Sequence, residues 1–108
     1  MLLIVSRYFT PKGYSGITIF PFVFIREKLQ RNNQVLMNHE RIHIRQQAEL
    51  AVVPFFIWYG LEFLIRWIQT GNKAYAYRNI SFEREAYAKE GDITYLKKRP
   101  IWKFLRYL

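Results

Sequence analysis

The sequence predicts an α+β fold, mostly helical with a small antiparallel sheet. Two short apolar runs near the N-terminus flank the turn-rich stretch "TPKGYSG" (10–16). From about Asn33 the apolar spacing changes to steps of three and four, the period of a helix face. Beyond that point Pro54, Gly71, Gly91 and Pro100 punctuate the chain at helix-sized intervals. A length of 108 residues suits one domain, 1–108, and is too short for two independent cores.

Each element has its own signal. Leu2 to Tyr8 and Ile17 to Ile25 read as strands that pair across the turn. Pro21 lies inside the second run and cannot donate to a ladder, so that strand is expected at an edge or with a bulge. Val35, Leu36, His39, Ile42, His43, Gln46 and Leu50 form one helical stripe, with Asn32 or Asn33 as the N-cap. Pro54 is expected to end or kink this helix. "FFIWYGLEFLIRWIQ" (55–69) is a second helix, closed by Thr70 and Gly71. A third is expected to start at Ser81, an N-cap residue, and to run through "FEREAYAKE" to Gly91. Two short basic helices split by Pro100 complete the chain.

The stretch 50–68 is nearly long enough to span a bilayer, but Pro54, Gly60, Glu62 and Arg66 interrupt it. It reads as a buried core helix or as a helix partly embedded at a membrane surface. Hydrophobic residues make up 51% of the chain and aromatics 19%, enough for an ordered core. The absence of cysteine excludes a disulfide framework, a Cys-based zinc site and a thiol nucleophile.

Seventeen Lys and Arg against eight Asp and Glu give a net charge of +9, which favours an anionic partner. The basic residues are spread along the chain and concentrate only in "LKKRPIWKFLRYL"; no nucleic-acid motif accompanies them. An anionic membrane surface is therefore the expected partner of the charge, ahead of nucleic acid, and the aromatic-rich C-terminus suits a headgroup layer. "MLLIVSRYF" lacks a basic leader and a small-residue cleavage site, so no signal peptide is expected. The expected location is cytoplasmic, peripheral at the membrane.

"NHERIHIRQQ" (38–47) holds both histidines of the chain. Residues four apart share one helix face, so His39 and His43 can turn an imidazole nitrogen to a common ion, the reason H-E-x-x-H suits zinc. Glu40 is rotated about 100° from His39. There its carboxylate can reach water at the ion and take its proton. A catalytic zinc needs a third protein ligand and one open position. No histidine remains, so the third ligand must be a carboxylate. Glu49 lies on the opposite side of the same helix; Glu62, on the next helix, is a candidate where that helix turns it inward; Glu83 and Glu85 open a separate helix.

"HERIH" followed some forty residues later by "EREAY" resembles the gluzincin pattern, in which a downstream helix supplies a glutamate in an E-x-x-A context. The resemblance implies a zincin-like fold and a zinc metallopeptidase, similar in size to the minigluzincins. It makes Glu83, three residues before Ala86, the third ligand, with Glu85 the alternative by a one-residue shift. It also implies that "GITIFPFVFI" forms an edge strand above the active-site helix, where an extended peptide adds as a further strand. Many gluzincins place an aspartate four residues after the ligand glutamate to support a ligating histidine. Tyr87 stands there in this chain, leaving Glu62, Glu85 or a backbone carbonyl as substitutes. Oxyanion donors are sought among Tyr75, Tyr77, Arg78 and Tyr87. Two other readings use the same residues: a zinc-stabilised domain without catalysis, and a basic adaptor at a membrane surface or nucleic acid with incidental histidines.

Overall fold

The computed structural model describes residues 2–6 and 16–108. Most of the "TPKGYSG" turn, and the end of the first predicted strand, lie outside them. Three strands form the sheet: β1 (Leu2–Val5), β2 (Gly16–Ile19) and β3 (Phe22–Ile25), in the order β1-β3-β2. The sheet is mixed rather than antiparallel. β2 and β3 pair antiparallel, Thr18 opposite Val23, whereas β1 runs parallel to β3 with Leu3 opposite Val23. Pro21 explains the difference from expectation. Phe20 and Pro21, joined by a cis peptide, turn the chain back, so the predicted single run Ile17–Ile25 is a hairpin. The proline thus ends a strand instead of interrupting one.

Helix α1 (Gln34–Leu50) begins where expected, the Asn33 side chain accepting the Leu36 N–H at 3.1 Å. It ends earlier than Pro54. Ala51 takes φ 59° and ψ 150°, a conformation that favours glycine and costs an L-residue on the order of 1–3 kcal/mol. Pro54 then sits in the first turn of α2 (Val52–Thr70), where a missing N–H is harmless. The two helices meet at 111°. Gly71, at φ 68°, closes α2 in the left-handed C-cap.

A six-residue helix, α3 (Lys73–Arg78), follows and was not expected, being too short to show a period. α4 (Ser81–Lys89) has Ile80, not Ser81, at its N-cap. Glu62 of α2 does the capping, its carboxylate accepting the Ser81 N–H at 3.1 Å and the Ser81 hydroxyl. A carboxylate here satisfies free N–H groups and complements the helix dipole. α5 (Tyr95–Lys98) and a 3-10 turn, Lys103–Tyr107, complete the chain on either side of Pro100.

The core is three linked clusters around α1. Val23, Ile25 and Met37 join the sheet to the helix. Ile42, Ala86 and Tyr95 join it to α4 and α5. Phe55, Ile80, Phe82 and Phe104 stack α2, α4 and the C-terminal turn. The expectation of a buried core helix at 50–68 is corrected: Phe55 is the only buried residue of α2, and a broad apolar face of that helix is exposed. No single described helix is long and apolar enough to cross a membrane.

A buried ion cluster ties the C-terminal segment to this core. Arg99 pairs with Glu49 at 2.6 Å and with Glu85, whose other partners are Tyr95 at 2.7 Å and Gln46 at 3.0 Å. Burial alone would raise the Glu85 carboxyl, but the bonds from Arg99, Tyr95 and Gln46 hold it below the usual range. Its contribution to stability is therefore present above the unfolded value near pH 4.3 and is lost as pH falls through the depressed folded value. Arg99→Met should leave two carboxylates buried without their cation and cost about 3–5 kcal/mol at neutral pH in urea melts. The same deficit should shrink on acidification, as Glu85 protonates; a pH-independent deficit would point to lost packing instead.

Candidate metal centre

Three ligand atoms converge between α1 and α4. His39 and His43 stand one turn apart on α1, and Glu83 occupies the first turn of α4 facing them. Glu83 Oε1 lies 3.2 Å from His39 Nε2 and 3.0 Å from His43 Nε2, and the two Nε2 atoms are 3.2 Å apart. All three residues are buried. Among the described residues this is the one group of three potential ligands able to close on an ion.

The hydrogen-bond network fixes which faces of the imidazoles carry protons. Gln46 Nε2 donates to the Phe82 carbonyl at 3.1 Å and to Glu85 Oε1 at 3.0 Å, both pure acceptors. Its Oε1 must then accept, at 2.8 Å, from His43 Nδ1. His39 Nδ1 faces Glu90 Oε2 at 2.7 Å and likewise donates. With Nδ1 protonated, a neutral imidazole offers a bare lone pair at Nε2. Two such lone pairs and a carboxylate oxygen therefore point into one spot, an arrangement that is repulsive without a cation. A small tetrahedral ion with bonds of about 2.0–2.1 Å sets its donors roughly 3.3 Å apart, close to the spacing here. The triad is able to hold a divalent metal ion.

The sequence left the supporting groups open among Glu62, Glu85 and a backbone carbonyl; the side chains found on the histidines are different. Glu90 orients His39, and Gln46 orients His43 and hands the connection on to Glu85 and Arg99. Glu85 itself is turned away from the triad into that ion cluster, and Glu62 caps α4. Tyr59 of α2, also missed, donates to Glu83 Oε2 at 2.8 Å and so holds the carboxylate with its other oxygen toward the histidines. Glu90 was one step from recognition, seven residues after Glu83 on the same helical side.

Glu40 lies beside the triad, under the edge strand. The Thr18 hydroxyl donates to its carboxylate, and a Cβ built on Gly16 would come within 3.0 Å of its Oε1. The absence of a side chain at Gly16 leaves room for that carboxylate. Gln47, two turns after Glu40 on the same side of the helix, spans the strand edge, taking the Phe20 N–H at 2.6 Å and donating to the Thr18 carbonyl at 2.8 Å.

A cleft of about 400 Å³ opens over these groups, lined by His39, Glu40, His43 and Glu83 on one side and by aromatic residues of α2 on the other. Of the four residues considered as oxyanion donors, Tyr77 lines this cleft. Arg78 and Tyr87 line an adjoining one, the guanidinium 3.8 Å above the Tyr87 ring, which packs on His39. Tyr75 does neither and is 54% exposed. Burial and the nearby Glu83 carboxylate keep the Tyr77 hydroxyl protonated far above the usual range.

The metal-free charge state follows from the same geometry. Burial opposes a charge on His43, yet attraction to Glu83, with help from Glu40, lifts its pKa to about 9. Glu83, in spite of burial, is held well below the usual carboxylate range by His43 and His39. No family model, curated protein or solved structure matches this chain.

A metal ion must displace the His43 proton to bind. Apparent affinity, measured by competition with a chromophoric chelator, should strengthen about tenfold per pH unit as pH rises toward 9 and level off above it. His39→Ala should abolish stoichiometric metal in elemental analysis. Retention of the ion by that variant, or a flat pH profile, would mean that these side chains are not the ligands.

Proposed function

We propose that this chain is a zinc-dependent metallopeptidase of the gluzincin type, with His39, His43 and Glu83 as ligands and Glu40 as general base. The observation that carries the reading is the meeting of three potential ligand atoms beside a fourth, non-ligating carboxylate at the floor of an open cleft. Donor count favours catalysis over a purely structural ion. A closed structural site uses four protein ligands, whereas here three converge and the remaining side borders the cleft. Two nitrogens and one oxygen suit zinc, which supplies Lewis acidity: it acidifies water and polarises a carbonyl when bound.

The protein's own side chains do the rest. Glu40 accepts a proton from the attacking water and returns it to the leaving amine, its free Oε1 turned to the Gly16 side and its Oε2 held by Thr18. The Tyr77 hydroxyl, kept protonated, donates to the developing oxyanion. The substrate chain adds along β2 as an extended strand. Gln47 already fills the edge at Thr18 O and Phe20 N, so main-chain pairing is confined to the Gly16 end, next to Glu40. Phe55, Phe56 and Phe63 make the opposite wall an apolar subsite.

Glu40→Gln should keep stoichiometric zinc and lower cleavage of a peptide library by about 10²–10⁴-fold. Gly16→Ala should also keep zinc but slow turnover, since the added methyl group displaces the Glu40 carboxylate. Tyr77→Phe should reduce kcat with little change in KM. Full-rate cleavage by Glu40→Gln would overturn the assignment.

A further inference from the structure

Helix α2 has two faces, and only one is used by the fold. Its inner side carries Phe55, Trp58, Tyr59 and Glu62. Its outer side carries Val53 at 68% exposure, Ile57 at 59%, Leu61 at 55%, Ile65 at 53% and Ile68 at 76%. The helix is about 28 Å long, and along that length no charge interrupts the outer stripe. Its only charged residues, Glu62 and Arg66, pair with each other on the covered side. The C-terminal turn extends the surface. Phe104 packs 5.1 Å from Trp58, and beside it Ile101, Trp102, Leu105 and Leu108 are exposed. So large an apolar area is unusual on a water-facing protein and marks a docking surface.

Charge selects the occupant. The eight acidic side chains are turned to the protein's own groups: Glu40 and Glu83 at the metal centre, Glu90 on His39, Glu49 and Glu85 on Arg99, Glu62 on Ser81, Asp92 on Thr94 and Lys98, Glu27 on its own 3-10 turn. Only Glu27 and Asp92 among them are well exposed, so cations dominate the surface. Lys73 stands over Trp67 at 4.6 Å, just past the end of α2, and Lys103 and Arg106 flank the exposed residues of the C-terminal turn. A second copy would bring the same positive charge to the same face. An anionic bilayer offers the opposite charge and an apolar layer beneath it.

We infer that α2 and the C-terminal turn form a docking surface for an anionic lipid bilayer, the helix lying in the headgroup plane with Val53, Ile57, Leu61, Ile65 and Ile68 in the acyl boundary. An exposed apolar face with a tryptophan and a lysine, Trp67 and Lys73, at its C-terminal end suits an interfacial helix. It has a consequence for the cleft. Phe56 and Gly60 line the cleft and border the exposed stripe, so the cleft mouth opens at the membrane surface. Resting on the peptidase reading, the substrate class becomes a peptide segment emerging from or lying on the bilayer.

Cosedimentation tests the surface without reference to catalysis. The full chain should pellet with phosphatidylcholine vesicles containing phosphatidylglycerol, at least about tenfold less with phosphatidylcholine alone, and less as salt is raised. The triple variant Ile57→Gln, Leu61→Gln, Ile68→Gln, with an unchanged melting curve, should lose roughly a hundredfold in binding. Equal binding of the variant, no pelleting of the wild type, or a dimer in vesicle-free buffer that the variant abolishes would overturn the surface assignment. A myristoylated peptide on those vesicles should be cleaved at least about tenfold faster than the free peptide, an advantage the triple variant loses while cleaving the free peptide normally. Equal rates on both peptides would overturn the substrate class. Vesicle binding with neither peptide cleaved would sink the peptidase reading and leave the surface standing.

Discussion

The structure depends on burying the polar side of α1. Of the side chains this helix buries, Asn38, His39, Glu40, His43, Gln46 and Gln47 are polar, against only Met37 and Ile42 that are apolar. A buried polar group without a partner costs on the order of 1–3 kcal/mol, so each must find one. The partners determine where everything else lies. Asn38 reaches the carbonyls of Lys89, Glu90 and Asp92 and so holds the C-terminal end of α4. Gln46 takes the Phe82 carbonyl near its start. Gln47 and Glu40 engage the backbone and side chain of β2. The helix that carries the candidate ligands His39 and His43 is thus the element to which sheet and second helix are both fastened, and the site geometry follows from how the fold is assembled.

That constraint also decides what could be read in advance. The α1 stripe, its cap at Asn32 or Asn33 and the pairing of His39 with His43 are local matters of spacing, visible in "NNQVLMNHERIH", whereas Glu83 was singled out only by the resemblance of "EREAY" to the gluzincin pattern. The Gly71 stop of α2 was legible for the same reason, because the left-handed C-cap needs glycine. What was not legible depended on partners distant in sequence. Nothing near Gln46 reveals that its amide bridges His43 to Glu85, and nothing near Glu62 reveals that it caps a helix nineteen residues away. Pro21, read as an edge or bulge residue inside one strand, instead lies between two, and Pro54, expected to end or kink α1, lies in the first turn of α2, just past the break at Ala51. α2 misled most, since an apolar helix looks alike whether it faces a core or an unfilled surface.

The charges divide along similar lines. Apart from Glu27 and Asp92, the carboxylates are drawn inside, where histidines, arginine and helix N–H groups need them, while most of the described lysines and arginines stay outside. The large positive charge is therefore a surface property with a structural origin: the interior takes up most of the negative charge. In this respect the ion cluster around Arg99 and the triad are parts of one network. Arg99 fixes Glu85, Glu85 and the Phe82 carbonyl fix the Gln46 amide, and the amide fixes which His43 nitrogen carries the proton. A residue near the C-terminus thereby sets the tautomer of a ligand on α1, with every link buried where effective dielectric is low and hydrogen bonds are stronger.

Such a network has a cost in a chain of this size. A 108-residue domain without cysteine has only its core and its polar contacts to hold it, and here much of the apolar inventory is spent on the surface of α2 and the C-terminal turn. The clusters that remain are small and separately placed around α1. Three converging lone pairs at their junction would by themselves push α1 and α4 apart. A proton shared between His43 and Glu83 relieves that repulsion, and a divalent ion relieves it more fully, because it satisfies all three donors at once. For a metal held by this triad, binding and the packing of α4 against α1 would be one equilibrium, and occupancy would report on the integrity of the fold as well as on its chemistry.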